Sequence, residues 1–378
     1  MRVLVVSTTR ADFGILENLI KKLSKNKFFD LKFLVTGSHF NKDQGYSLRE
    51  IYKRKINIDK KLDIKFNSKN MDSIFKFNSK LNYLYFQYLN KLRPDLVIVL
   101  GDRYEMLLLT FCTYLMRIPI AHLHGGEISE GSMDDSLRHA ITKLSNIHFV
   151  TNAIHRKRVV QLGEQPRNVI NVGSLIKEKI QNLKILKKKD LEKIHNLKFS
   201  KKNFIVTYHP DTIASGNTKK NFNELIKAIQ KIKSTNFFFT APGSDFESSI
   251  IKNKILRFKK GKKNIFYIKN FGSISYLSML HHVSGIIGNS SSGILEMPII
   301  GNYTINIGNR QKGRGKAKTI FNVEPNAKKI KRSILMVSNL KSKRKVFKLK
   351  KNQTIDKIIS KLKKLNAKSV IYKKFFDI

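Results

Sequence analysis

Short apolar runs alternate with helix-length amphipathic stretches from one end of the chain to the other. This rhythm constrains the fold more than any other feature, because it demands parallel sheets with helices on their faces. In the first half, Val3–Ser7, Leu31–Thr36, Asp95–Leu100, Ile118–Leu123, Ile147–Thr151 and Val169–Val172 read as strands. In the second half, Phe204–Tyr208, Phe237–Thr240, Ile265–Ile268, Gly285–Gly288 and Thr304–Ile307 do the same. Between them, Ile15–Leu23, Met71–Leu92, Asn221–Ile232 and Ile274–His282 have helical spacing. The longest of these places Ile74, Phe77, Leu81, Leu84 and Phe86 on its apolar face and stops at Pro94. Thr8–Gly14 reads as a polar loop, and the stretch from Gly37 to Asn67 shows no clear period. Lys177–Lys202, rich in lysine and free of Gly and Pro, reads as a helix connecting two domains. At 378 residues the chain exceeds one ordinary core, so two α/β domains are expected.

Charge narrows the partners. Lys and Arg number 74 against 27 Asp and Glu, a formal net charge of +47. The lysines are spread over nearly every helix and loop. The clusters at 187–189, 259–263 and 341–351 could hold polyanions weakly, but no recognised nucleic-acid module accompanies them. A solvated basic surface is therefore expected, with no specific nucleic-acid site. The lone Cys112 cannot form an internal disulfide and sits in an apolar run, which suggests a core position in a reducing compartment. Met1 leads straight into a strand, leaving no room for a signal peptide, and Arg117 interrupts the longest apolar stretch. Neither a membrane partner nor an address outside the cytoplasm is expected.

The polar residues collect where strands end. Gly101-Asp102-Arg103-Tyr104-Glu105 follows one apolar strand, and His122-Leu123-His124-Gly125-Gly126-Glu127 ends the next. Asp134-Asp135-Ser136-Leu137-Arg138-His139 opens the following helix. Ligands of open α/β sheets bind outside the carboxyl ends of strands, so these pieces read as one wall of an active site. Asp102, Glu127, Asp135 and His209 are the candidate acids and bases, because carboxylates held close beside arginines can have their pKa values driven apart. His122, His124 and Glu127 lack a recognised zinc spacing, and no metal is expected. In the second half, Gly288-Asn289-Ser290-Ser291-Ser292-Gly293 joins a strand to a helix and so offers backbone N–H groups and hydroxyls to an anion. It is neither a Walker A loop nor a Gly-x-Gly-x-x-Gly fingerprint. Glu296, one turn into that helix, could reach a ribose diol. Arg10, Arg103 and Arg310 could fork onto phosphate oxygens.

Seven ordered motifs together resemble the UDP-N-acetylglucosamine 2-epimerases, in particular their hydrolysing branch. They are Thr-Arg-Ala-Asp-Phe-Gly (9–14), Gly-Asp-Arg-Tyr-Glu (101–105), His-Gly-Gly-Glu (124–127) and Asp-Asp-Ser-Leu-Arg-His-Ala-Ile-Thr-Lys (134–143). The remaining three are Gln-Leu-Gly-Glu (161–164), Gly-Asn-Ser-Ser-Ser-Gly (288–293) and Asn-Ile-Gly-Asn-Arg-Gln-Lys-Gly-Arg (306–314). The resemblance, which spans about residues 2 to 325, implies a GT-B-like pair of Rossmann-like domains at 1–172 and 173–352 with the site in the cleft. The last helix, within 353–378, would pack back on the first domain. It implies catalytic positions at Asp102, Glu127, Asp135 and His209. It implies substrate contacts at Arg10, Gly14, Arg103, Arg138, Ser290, Ser291, Glu296 and Arg310. The loops at 11–14, 37–41 and 127–133 would read the sugar's C4 and C6 groups.

The implied reaction converts UDP-N-acetylglucosamine and water to N-acetylmannosamine and UDP, by elimination and then hydration, without a cofactor and in sialic-acid-type sugar biosynthesis. Relatives that act on UDP- or GDP-linked 2,4-diacetamido-trideoxy sugars share these motifs. A GT-B glycosyltransferase and a basic nucleic-acid-binding protein are the readings of other classes. The resemblance further implies a homodimer or homotetramer.

Overall fold

The computed structural model describes residues 1–41, 46–64, 71–210, 216–243, 247–315, 317–341, 353–366 and 370–378. Most of the basic cluster at 341–351 lies outside the described residues.

The first lobe runs β1 (Arg2–Ser7), α1 (Arg10–Ser24), β2 (Asp30–Val35), α2 (Leu48–Lys53), β3 (Lys60–Lys61), α3 (Met71–Leu92) and β4 (Leu96–Leu100). It continues with α4 (Tyr104–Leu115), β5 (Ile120–Leu123), α5 (Asp134–Leu144), β6 (Ile147–Val150), α6 (Ala153–Gln161) and β7 (Val169–Asn171). Its seven strands lie in the order β3-β2-β1-β4-β5-β6-β7, all parallel.

Two short helices, α7 (Leu175–Gln181) and α8 (Lys188–His195), lead into the second lobe. There follow β8 (Lys202–Thr207), α9 (Thr218–Gln230), β9 (Thr235–Thr240), α10 (Ser248–Lys259), β10 (Ile265–Ile268) and α11 (Ser273–His282). After them come β11 (Gly285–Gly288), α12 (Ser291–Ile300), β12 (Tyr303–Ile307), β13 (Ile320–Val323), α13 (Ala327–Asn339) and α14 (Thr354–Lys363). The second sheet is also parallel, ordered β10-β9-β8-β11-β12-β13.

Each sheet reverses its winding once, between β1 and β4 in the first lobe and between β8 and β11 in the second. A crevice opens at such a reversal, because the helices on either side leave in opposite directions. Both sheets are buried on two faces. Val3 and Val5 pack under α1, while Leu4 and Val6 pack on the other face with Tyr85 and Leu89 of α3 and Met106 and Leu109 of α4. In the second lobe Phe204 and Val206 face α9 and α13, and Ile205 faces α11 and α12. α7 ties the two cores together: Leu175 belongs to the first and Ile176 and Ile180 to the second. Ile358 and Leu362 of α14 sit in the first core beside Val3 and Leu19.

Several local expectations need correction. α1 begins at Arg10, five residues before the expected start. Thr9 Oγ accepts from the Asp12 N–H at 3.2 Å, while an Asp12 carboxylate oxygen accepts from the Thr9 N–H at 2.9 Å. This reciprocal pair is a capping box, so much of the supposed loop is the first turn of a helix. The connecting helix is two helices; between them the Leu186 N–H donates to Ser278 Oγ at 3.1 Å, which leaves the linker packed along α11. In α3 the buried stripe is Phe77, Leu81, Tyr85 and Leu89, spaced by four, and Phe86 is 45 % exposed. α6, α10, α13 and β13 fall in stretches where no element was expected. Cys112 is buried, donates to Asn82 Oδ1 at 2.9 Å, and has its thiol pKa raised by burial, as suits a packing residue. Among the described residues no helix is long and apolar enough to cross a membrane.

Candidate active site

The two crevices face each other and enclose one cavity of about 340 Å³. Its walls include the carboxyl ends of β1, β4, β8 and β11. Thr9, Arg10 and Gly14 follow β1, and Asp102 and Arg103 follow β4. Across the cleft, Thr207 and His209 come from β8, and Ser290 and Ser291 follow β11. Glu296 of α12 and Arg310, Gln311 and Arg314 of the loop after β12 complete that side.

Asp102 stands at a sharp turn. Gly101 has φ +88°, which suits glycine, and its carbonyl bonds His122 Nε2 at 2.9 Å. His122 Nδ1 lies 3.1 Å from Thr142 Oγ1, and burial pulls this imidazole down to about 3. It is therefore a neutral strut at pH 7. The Asp102 carboxylate forms a close ion pair with Arg138 and lies 3.7 Å from Arg314, so guanidinium groups from both lobes converge on it.

Three expected site residues stand one layer behind the wall rather than on it. Arg138, 1 % exposed, donates to the Glu127 carbonyl at 2.9 Å and to Ser129 Oγ at 3.2 Å while it holds Asp102. Its fork, expected to contact substrate, is directed at Asp102, Glu127 and Ser129. Burial together with Arg314 lowers its pKa to about 9. Asp135 accepts from the Ser129 backbone N–H and lies 3.5 Å from His139 Nε2. Glu127 is buried and pairs with His124 Nδ1 at 3.0 Å. Burial would raise its carboxyl, but His124, Arg314 and His155 together pull it down to about 2. The acid that does line the cavity at this strand end is Asp134, 3.8 Å from Arg310.

On the facing side, Gly288 has φ +133° and a Cβ there would collide with the Thr207 carbonyl, so the β11 turn requires glycine. The buried Asn289 side chain staples the two strand ends: its Oδ1 accepts from the His209 N–H at 2.7 Å and its Nδ2 donates to the His209 carbonyl at 2.9 Å. The Gly243 N–H donates to His209 Nδ1 at 3.0 Å. Nδ1 is thus an acceptor, and the neutral ring carries its proton on Nε2, from which it can donate a hydrogen bond into the cavity. Ser290 caps α12, accepting from the Ser292 N–H at 3.4 Å. Burial pushes the Glu296 carboxyl up to about 7, with Glu127 adding to the rise and Arg314 opposing it. Arg10 reaches across the cleft and donates to the Lys269 carbonyl at 2.8 Å. Arg103 lies on the wall but directs its Nε to Glu105 at 3.0 Å.

The structure thus gathers Asp102, His209, Arg10, Gly14, Arg103, Ser290, Ser291, Glu296 and Arg310 around one cavity. Among the described residues, no three His, Cys, Asp or Glu side chains form a metal-binding group. The sequence reading missed Asp134, Arg314, Tyr276 and Gln311. Gln311 Nε2 donates to the Asn289 carbonyl at 2.9 Å, and the Tyr276 hydroxyl donates to Ser292 Oγ at 2.7 Å. Arg314 had a signal, since it closes the 306–314 motif four residues after Arg310.

Two doubly wound lobes with facing crevices define the GT-B-like class. Residues 21–363 match the family described as UDP-N-acetylglucosamine 2-epimerase, and the chain belongs to that family. It is 38 % identical over 327 residues, covering 86 % of this chain and 85 % of the relative, to the GDP/UDP-N,N'-diacetylbacillosamine 2-epimerase (hydrolyzing) of Campylobacter jejuni. It is 33 % identical to the polysialic acid biosynthesis protein P7 of Escherichia coli, covering 100 % of this chain and 97 % of that one. The crystal structure of UDP-GlcNAc 2-epimerase from Neisseria meningitidis bound to UDP-GlcNAc superposes with a TM-score of 0.79 at 17 % identity, covering 97 % and 100 % of the two chains. That likeness supports the fold.

Proposed function

We propose that the chain is a hydrolysing nucleotide-sugar 2-epimerase. The carrying observation is the pairing, across one cavity, of a carboxylate held by two arginines with the serine-capped N-terminus of α12. The sugar lies against the first lobe and the nucleoside diphosphate against the second. Asp102 takes the C2 proton, since it is on the wall while Glu127 and Asp135 are behind it. The C1–O bond breaks and the diphosphate departs into the N–H groups and hydroxyls of Ser290 and Ser291, with Arg310 alongside. His209 donates a hydrogen bond from Nε2–H to the departing oxygen, whose charge the diphosphate keeps. Water then adds at C1 of the resulting glycal and a proton returns to C2 from the opposite face. The products are a free C2-inverted 2-acetamido sugar and the nucleoside diphosphate. Glu127, Asp135 and Arg138 act by positioning Asp102, and Glu296 takes the ribose diol.

We place UDP-N,N'-diacetylbacillosamine ahead of UDP-N-acetylglucosamine as substrate. Relatives 38 % and 28 % identical bear names with the diacetamido sugar. The proposal also takes the lobes as 1–172 and 173–352, with 353–378 returning to the first. It takes the enzyme as a cytoplasmic homodimer or homotetramer making a precursor of sialic-acid-like sugars. The test is proton NMR of purified protein with each sugar nucleotide. Free C2-inverted sugar appearing with the nucleoside diphosphate, faster from the diacetamido substrate, supports both parts. Turnover of neither substrate without an added acceptor overturns the reading.

A further inference from the structure

α11 lacks a cap of its own. Its N-cap residue is Gly272, at φ +71°, which has no side chain to accept from the amides of the first turn. The acceptor comes from the other lobe. The Ser273 N–H donates to Glu50 Oε1 of α2 at 2.5 Å, which sets a negative charge at the positive end of the α11 dipole. A Cβ on Gly272 would lie 3.5 Å from the same carboxylate oxygen, so the approach is close but unobstructed.

Glu50 is anchored from behind. Arg54, one turn along α2, lies 3.9 Å from Glu50 and 3.4 Å from Glu17. Glu17 in turn pairs at 2.8 Å with the buried Lys179 of α7, the helix shared by the two cores. Burial would raise the Glu17 carboxyl, but Lys179, Lys21 and Arg54 hold it below its ordinary value. A chain of alternating charges thus runs from α7 to the terminus of α11. Arg10 makes a second bond across the cleft beside it, to the Lys269 carbonyl.

We infer that Glu50 is an inter-lobe clasp: it caps α11 only when the cleft is shut, and so biases the protein towards the closed form in which Asp102 and Ser290 share one cavity. Glu50, Gly272 and Ser273 line the edge of the same cavity, and Glu50 is a positioning residue because its carboxylate is engaged by the Ser273 N–H and Arg54. A ligand that binds the closed form loses apparent affinity in proportion to the closed fraction. Only that consequence rests on the nucleotide-sugar reading.

The test uses ligand-free full-length protein and variants on opposite sides of the contact. Glu50→Ala removes the acceptor. Ser273→Pro removes the donor at the first helical position, where proline is tolerated. Hydrogen exchange of the α11 first-turn amides should speed up about fivefold in Glu50→Ala, the middle of the range for a lost cap. The radius of gyration from X-ray scattering should rise in both variants. Glu50→Gln, which keeps an acceptor oxygen, should fall between. The double variant should be no more open than either single one, since both break the same bond. UDP affinity should fall by a similar factor, with KM rising and kcat changing less. Open lobes with unchanged UDP affinity would keep the clasp and remove the nucleotide reading. Unchanged exchange and radius in Glu50→Ala and Ser273→Pro would overturn the clasp.

Discussion

The Glu296 carboxyl gives nucleotide binding a pH dependence that can be worked out in advance. Burial pushes this group up to about 7, and the proposed reading has its ionised form accepting hydrogen bonds from the ribose diol. The sign follows directly. An acid whose pKa is raised is mostly protonated below that value, so binding strengthens as pH rises through about 7. With a pKa near 7, the ionised fraction climbs from about one in eleven at pH 6 to about ten in eleven at pH 8. If only the ionised form accepts the diol, affinity rises about tenfold over that interval. The assay is calorimetric titration with UDP-glucose, whose diphosphate diester has no ionisation near neutrality. Glu296→Gln should bind more weakly at pH 8 and show a flat profile. A wild-type profile that is flat, or that falls with rising pH, would refute the placement of the diol on Glu296. A Glu296→Gln profile as steep as wild type would assign the titration to another group.

Three further outcomes test the remaining parts of the site. Asp102→Asn keeps the shape of the side chain but removes the base, and should lower kcat by about 10²- to 10⁴-fold while UDP affinity stays within a few-fold. Steady-state turnover and calorimetry check it together. Arg138→Ala strips a buried partner from Asp102 and frees the loop at 127–129, so chemical denaturation should show a loss of about 3–5 kcal/mol in stability. Ser290→Ala combined with Arg310→Ala should weaken UDP binding by about 10- to 100-fold, from one lost cap and one lost charge-assisted contact, with the melting temperature little changed.

The sheets were legible because a parallel strand is apolar on both faces and announces itself as a run. β4 and β11 were placed within a residue for that reason. Helix boundaries were less legible where polar side chains serve the backbone. Thr9 and Asp12 look like loop residues until one sees that each satisfies the other's N–H. Phe86 was misplaced because a stripe spaced by four drifts around the helix and its neighbour Tyr85 takes the buried position. At the site, residue types and strand ends pointed to residues that line one cavity, whereas depth was invisible. Asp134 and Asp135 are adjacent in sequence, yet one lines the cavity and the other accepts from a backbone amide behind it. Arg138 has the chemistry of a phosphate ligand and is used as a strut. Such distinctions depend on how α5 is rotated against β5, which is set by tertiary packing. The inter-lobe partners were hidden for the same reason, since Arg314 meets Asp102 across 212 positions of chain.

Elimination followed by hydration is the central claim, and a doubly labelled turnover tests it most directly. UDP-N,N'-diacetylbacillosamine or UDP-N-acetylglucosamine, whichever is consumed, is incubated with the enzyme in D2O enriched in ¹⁸O, and the products are analysed by mass spectrometry and proton NMR. The account predicts a free sugar with inverted C2 that carries deuterium at C2 and the heavy oxygen at C1, together with unlabelled UDP. A sugar that keeps its original C2 proton, or UDP that carries the heavy oxygen, would contradict it.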